Sequence, residues 1–138
     1  MRQETNGKLN DPSIRKLFEN KNFVFVASLM KDGSPQVTPT WVDIENGYIL
    51  VNTAIGRIKQ WNISRDPRVA LSLIDQNNPY EMVTLRGKVT EQITGETAEK
   101  HIDKLSKKYI GVDKHPRRSK GERRVILKIK PEKIFHMK

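Results

Sequence analysis

The sequence predicts a mostly β chain with short α-helices (α+β), closed into a small and mainly antiparallel barrel. Three observations predict it. β-prone runs recur along the chain, at 23–30, 35–44, 48–53, 68–75, 80–92 and 125–129. Tight-turn chemistry separates them, as in Lys31-Asp32-Gly33-Ser34, Glu45-Asn46-Gly47 and Gln76-Asn77-Asn78-Pro79. Helical spacing appears only in short interruptions.

Residues 1–10 read as a flexible lead-in to a single domain spanning 1–138. Asp11-Pro12 opens a helix, with Asp11 as N-cap and Pro12 at the first helical position, and Ile14, Leu17 and Phe18 share one face. The runs 23–30, 35–44 and 48–53 then follow as three strands, joined closely enough to form an antiparallel meander. Ala54 to Arg65 breaks the pattern: Gly56 loosens the chain, and Ile58, Trp61 and Arg65 recur at helical spacing, placing Trp61 in the core. Asp66-Pro67 ends that helix, because the residue before proline avoids the α region.

Strand four runs from Arg68 to Asp75. Strand five runs from Tyr80 to Gln92, with Gly87 as a bulge. Gly95 to Lys108 is the clearest helix, with Ala98, Ile102, Leu105 and Tyr109 on one face. A basic loop over 110–121 leads to strand six at Val125–Ile129. Pro131-Glu132-Lys133 reads as a turn, and residues 134–137 as a last edge strand.

Composition narrows the function. With no cysteine among 138 residues, disulfides, thiolate metal sites and a cysteine nucleophile are excluded, and a cytoplasmic setting fits. No apolar run approaches a membrane span, and the polar first residues lack a signal-peptide apolar region. Residues 100–138 hold 14 of the 26 Lys+Arg but only 4 of the 16 Asp+Glu, so the whole excess of +10 lies there. Such a patch suits a nucleic acid, a membrane surface or a polyanionic small molecule, or is a solvated face with no partner. Nucleic acid is a remote reading. Single-strand binding calls for aromatic platforms among the basic residues, and this stretch holds only Tyr109 and Phe135, far apart.

No side chain announces itself as catalytic. His101, His115 and His136 stand at no metal-ligand spacing, so no metal is expected. The serines lack a nucleophile-elbow context, and no carboxylate pair stands out. A binding protein, or an enzyme whose cofactor carries the chemistry, is what remains.

The most informative segment is Val51 to Ile63. A strand ends in Asn52, Thr53 and Ala54, a turn follows at Gly56, and a helix opens beside Arg57 and Lys59. A helix N-terminus presents unpaired amides and partial positive charge to a phosphate. Arg57 adds a planar fork and Lys59 a point charge. Positions two apart do not share a helix face, so both reach one anion only if Arg57 lies at or before the first turn. The alternative is a solvated helix start.

Asn52-Thr53-Ala54, Gly56-Arg57-Ile58-Lys59, Asn62 and Arg65-Asp66-Pro67-Arg68-Val69-Ala70-Leu71 together resemble a signature of the pyridoxamine 5'-phosphate oxidase-like flavin-binding family. The hairpin Asp32 to Trp41, the segment Leu85-Arg86-Gly87-Lys88-Val89 and the tail Lys130 to Ile134 are similar to its branch assigned to the deazaflavin coenzyme F420. The resemblance spans about residues 12–136 and implies a six-stranded antiparallel split β-barrel, homodimeric, with cofactor at the subunit interface. It implies that Arg57 and Lys59 hold phosphate beside Asn52, Thr53 and Ala54. Gln36, Val37, Thr38 and Pro39 would lie along the ring, and Trp41 would pack in the core or interface. Tyr80 and the loop after Tyr109 are candidates for contacts from the second copy.

Coenzyme F420 is the expected cofactor and FMN the alternative. The basic cluster Lys114, Arg117, Arg118, Lys120, Arg123 and Arg124 would meet the oligoglutamate tail of F420. The expected activity is hydride transfer to or from a small organic substrate, against the alternative of a non-catalytic cofactor-binding protein. Vitamin B6 oxidation is not expected, because no C-terminal segment of the kind that holds the pyridoxal ring is present.

Overall fold

A computed structural model of the protein describes residues 4–116 and 118–138, with side chains for all of these except residues 4 and 5. Eight strands and three helices follow one another as β1 (Glu4–Gly7), α1 (Pro12–Glu19), β2 (Val24–Leu29), β3 (Pro35–Thr40), β4 (Asp43–Glu45), β5 (Tyr48–Ala54), α2 (Ile58–Arg65), β6 (Arg68–Asp75), β7 (Asn78–Ile93), α3 (Glu96–Ile110) and β8 (Arg124–Met137). No helix among the described residues is long and apolar enough to cross a membrane.

The strands are hydrogen-bonded in the order β3-β2-β6-β7-β8-β5-β4, with β1 added to the outer half of β8. Every pairing is antiparallel. Inward residues alternate along the strands, most cleanly in β6, where Val69, Leu71 and Leu73 are buried between exposed or half-buried neighbours. They meet Val24, Val26, Ile49, Val51, Val83, Leu85, Leu127 and Ile129 in one core. Helix α1, capped by Asp11 with proline in its first turn, adds Ile14, Leu17 and Phe18 to that core. Helix α3 packs outside it, through Ala98 onto Leu50 and Ile126, and through Ile102, Leu105 and Tyr109 onto Trp41.

Five expectations change. The strand expected over 35–44 splits at Trp41-Val42. β3 pairs with β2 and β4 with β5, so the two pieces stand at opposite ends of the strand order and no meander forms. Side chains of α3 hold the break: Lys108 Nζ donates to the carbonyls of Val42 (2.9 Å) and Phe18 (2.7 Å), and Tyr109 Oη accepts the Val42 amide at 3.2 Å. This split, with β1, raises the strand count from six to eight.

The expected turn at 131–133 is instead the middle of one long strand, β8. Pro131 faces Gly87 at a register shift in the β7–β8 ladder, where a missing proline donor is tolerated. Gly87 is required there, since a Cβ would strike the Lys130 carbonyl. Residues 134–137 are not an edge, because β7 and β1 flank them. Residues 4–7, read from sequence within the lead-in, form β1.

Helix α2 is turned the opposite way from its apolar spacing. Lys59, Asn62 and Ile63 are buried, while Ile58 is exposed and Trp61 is 62% exposed. Trp61 is therefore not a core residue. The inward face is chosen by polar bonds, since buried Asn62 donates to the buried Ser28 hydroxyl at 3.1 Å.

Candidate functional site

A cavity of about 650 Å³ opens between β3, the end of β5, the start of α2 and the inward face of α3 at Ile102. Its size is that of a small-molecule site. One end is cationic. There β5 ends in buried Asn52 and Thr53, and the chain turns through Gly56, whose φ of 95° is the left-handed backbone glycine favours. Arg57 follows as the extended N-cap of α2, which meets the geometric condition for its sharing an anion with Lys59. The helix begins with amides that have no intrahelical acceptor.

Lys59 is only 9% exposed and, among the described residues, has no ion-pair partner. Burial pushes its ammonium down to about 8, and the charges of Arg57 and Arg124 push the same way. Arg124 is buried beside it. Its Nε donates to Asn52 Oδ1 at 2.9 Å, and burial lowers its guanidinium pKa from the usual value. Glu122 bridges the two arginines, with Oε1 3.2 Å from Arg57 and Oε2 3.2 Å from Arg124. Three cations thus face one carboxylate, leaving a positive surplus on a wall rich in hydrogen-bond donors.

The other end is aromatic and neutral. Trp41 stacks on Tyr109 with ring centroids 5.3 Å apart, and His115 meets Trp41 edge-on at 5.8 Å. Phe23 and Ile102 close this end. Gln36, Thr38 and Thr40, at alternate positions of β3, line the side. Gln36 Oε1, Thr38 Oγ1 and His115 Nδ1 are buried with no hydrogen-bond partner among the described residues. Three orphaned polar atoms around one cavity are the pattern of a wall built to meet a ligand with its own donors and acceptors. Burial holds His115 below the usual imidazole range, reinforced by Arg124 and Arg118.

Of the residues expected at the site, the structure brings Gln36, Thr38, Pro39, Asn52, Thr53, Arg57 and Lys59 to this cavity. Val37 is not among them. Strand alternation turns it to the opposite face of β3, 60% exposed, beside a second groove that includes Phe25, Ala27 and Phe135. Ala54 is buried behind the wall, where its carbonyl accepts the Arg57 amide at 3.2 Å and so forms the turn. Trp41 is half-buried on the cavity wall and packs against α3.

The basic cluster of the tail is divided. Arg124 belongs to the cavity, and Arg118 is held by the Glu99 carbonyl and the Asp103 carboxylate, both at 2.7 Å. Lys114, Lys120 and Arg123 are exposed, and Arg117 lies outside the described residues. Sequence reasoning missed Arg124 and His115 as cavity residues. The register Ala54↔Arg124 carries the missing signal for the first, because it sets Arg124 beside the phosphate-type turn. No local pattern marks His115.

An antiparallel split barrel whose cavity has one cationic and one aromatic end suits a flavin-type cofactor. The chain belongs to the pyridoxamine 5'-phosphate oxidase family, which it matches over residues 11–138. Among solved structures it is similar to an F420 reductase, with 30% identity, a TM-score of 0.78, and coverage of 87% of this chain and 94% of that one. It shares its fold with a conserved hypothetical protein from Mycobacterium tuberculosis (21% identity, TM-score 0.73, 91% and 82% covered). The same holds for an FAD-binding protein from Mesorhizobium loti (14%, TM-score 0.65, 99% and 97% covered). No curated protein matches in sequence.

Proposed function

We propose that the protein is an F420-dependent oxidoreductase that transfers hydride to or from a small organic substrate. The observation that carries this reading is buried Lys59, without a carboxylate of its own, set between Arg57 and Arg124 at the head of α2. A charge kept there at such cost calls for an anion. The 30% identity to an F420 reductase along most of both chains supports the deazaflavin as that anion's bearer. Arg57, Lys59 and Arg124 would hold its phosphate, with Asn52 and Thr53 beside them. Gln36, Thr38 and Pro39 would flank its ring, and the orphaned atoms of Gln36, Thr38 and His115 would find partners on it. When bound, the deazaflavin supplies the hydride. The chain supplies orientation and a water-poor aromatic wall from Trp41, Phe23 and Ile102. FMN is the second reading, because three cations against the single carboxylate of Glu122 also suit a phosphate monoester.

The working form is a homodimer. The apolar outer face around exposed Phe25 and Val37, and exposed Tyr80, support a second copy covering this surface.

Fluorescence titration of the purified protein with F420 and with FMN tests the reading. Tight uptake of F420, weakened at least about tenfold by Arg57→Gln together with Lys59→Gln, is expected. Unchanged uptake of both cofactors by that double variant overturns it.

A further inference from the structure

A chain of buried polar groups runs from the cationic end of the cavity to the far side of α3. Arg124 Nε donates to Asn52 Oδ1 at 2.9 Å, and Asn52 Nδ2 donates to the Ala98 carbonyl at 3.0 Å. Asn52 Nδ2 also lies 3.1 Å from His101 Nδ1, and His101 Nε2 lies 3.0 Å from Asp43 Oδ2. Lys104 closes the chain on the same carboxylate oxygen at 3.1 Å. Asn52, His101 and Arg124 are all buried, and of the three only Asn52 and Arg124 line the cavity.

The partners leave one consistent assignment of protons. A guanidinium only donates, so the oxygen of the Asn52 amide must face Arg124. A backbone carbonyl only accepts, so the amide nitrogen must face Ala98. His101 Nδ1 therefore presents a lone pair to Asn52, and its single proton sits on Nε2, toward Asp43. Burial opposes ionisation of Asp43, but the hydrogen bonds from His101 and Lys104 outweigh it and hold that carboxyl at about 2. Asp43 is thus a permanent acceptor for Nε2–H.

We infer that His101, outside the cofactor cavity, is a positioning residue that fixes the Asn52 amide and through it the Arg124 guanidinium of the anion cradle. The inference rests on the proposed function for its consequence. Without the His101 Nδ1 lone pair, the Asn52 amide loses the acceptor that selects its orientation, and turning it over would set NH₂ against Arg124 and the amide oxygen against the Ala98 carbonyl. Charges facing His101 come from Asp43 and Glu45 of β4, Arg124 and Lys128 of β8, and Lys100 and Lys104 of its own helix. Only Asp43 is in contact with it.

The first measurement needs no cofactor. Long-range ¹⁵N–¹H correlation spectra at pH 8 are expected to show His101 with its proton on Nε2; a proton on Nδ1 overturns the inference. The second is affinity for F420, whose phosphodiester keeps its charge across the range used. His101→Leu is expected to weaken binding about tenfold at pH 8. His101→Asn, which carries a carbonyl oxygen where Nδ1 stands, is expected to recover it to within about threefold. If His101→Leu fails to fold, His101→Asn still decides: affinity more than about threefold weaker than wild type in that variant overturns the inference. A wild-type protein that binds F420 while His101→Leu binds it equally well defeats this inference alone. A wild-type protein that takes up neither F420 nor FMN defeats the functional reading and the inference with it.

Discussion

Removing the charge of Lys59 should make the ligand-free protein more stable. Its ammonium sits at about 8 in the folded chain against 10.5 when solvated, because burial and the neighbouring Arg57 and Arg124 disfavour the charged form. The unfolded chain keeps its proton up to the higher value, and the folded chain gives it up sooner. Between those two pH values the unfolded state binds more protons, so stability rises with pH across that window. Below pH 8 the penalty is complete, and it is gone above about 10.5. The difference corresponds to at most about 3 kcal/mol. Lys59→Met keeps the apolar stem and deletes the charge. At pH 7 and without ligand, thermal unfolding should show a rise in Tm of up to about 10 °C. The gap between variant and wild type should close as the pH approaches 10.5. Burial of Lys108, also lowered to about 8, acts equally in both proteins and cancels. A variant as stable as wild type at pH 7, or a gap that does not change with pH, refutes the argument that this lysine is held at a cost for a ligand.

Three further outcomes are expected. Affinity for F420 should rise with the number of glutamates in its tail and fall with added salt, because exposed Lys114, Lys120 and Arg123 are available to the tail; titration of long- and short-tailed forms at two ionic strengths checks it. Tyr109→Phe removes the hydroxyl that donates to the Asn22 carbonyl at 2.6 Å and accepts the Val42 amide, and should cost about 1–3 kcal/mol in urea unfolding. Val37→Lys places a charge on the apolar outer face opposite the cavity. It should shift the protein from dimer to monomer in sedimentation equilibrium, and a monomeric wild type would remove the basis for that face as an interface.

The elements that local pattern determines are the ones the sequence makes legible. Helices α1 and α3 carry their own periodicity and punctuation, and the structure keeps their faces as expected. Strand partners are a long-range matter and are less visible. The break at Trp41-Val42 depends on Lys108 and Tyr109, more than sixty residues away, supplying bonds that a neighbouring strand would otherwise supply. Pro131 looks like a turn until Gly87 is seen to face it across a bulge. Helix α2 misleads for a physical reason, since it turns a polar face inward because that face belongs to a cavity and to Ser28, leaving Trp61 outside. The site follows the same division. Asn52, Thr53, Arg57 and Lys59 lie within one short segment and are legible together, whereas Arg124 and His115 arrive through tertiary folding. The resemblance sets Val37 along the ring with its neighbours, but strand alternation turns its side chain to the other face of β3.

Strand β3 ends the hydrogen-bonded path, with only β2 beside it, and carries proline at both 35 and 39 around exposed Val37. A bare border of this kind invites further chains to add themselves and grow into fibrils. Each proline withholds a backbone donor from such an intruder, so the border is guarded against runaway stacking while its side chains remain free to meet small molecules. Replacing both with β-branched residues would remove the guard and leave a sticky template at the mouth of the cavity.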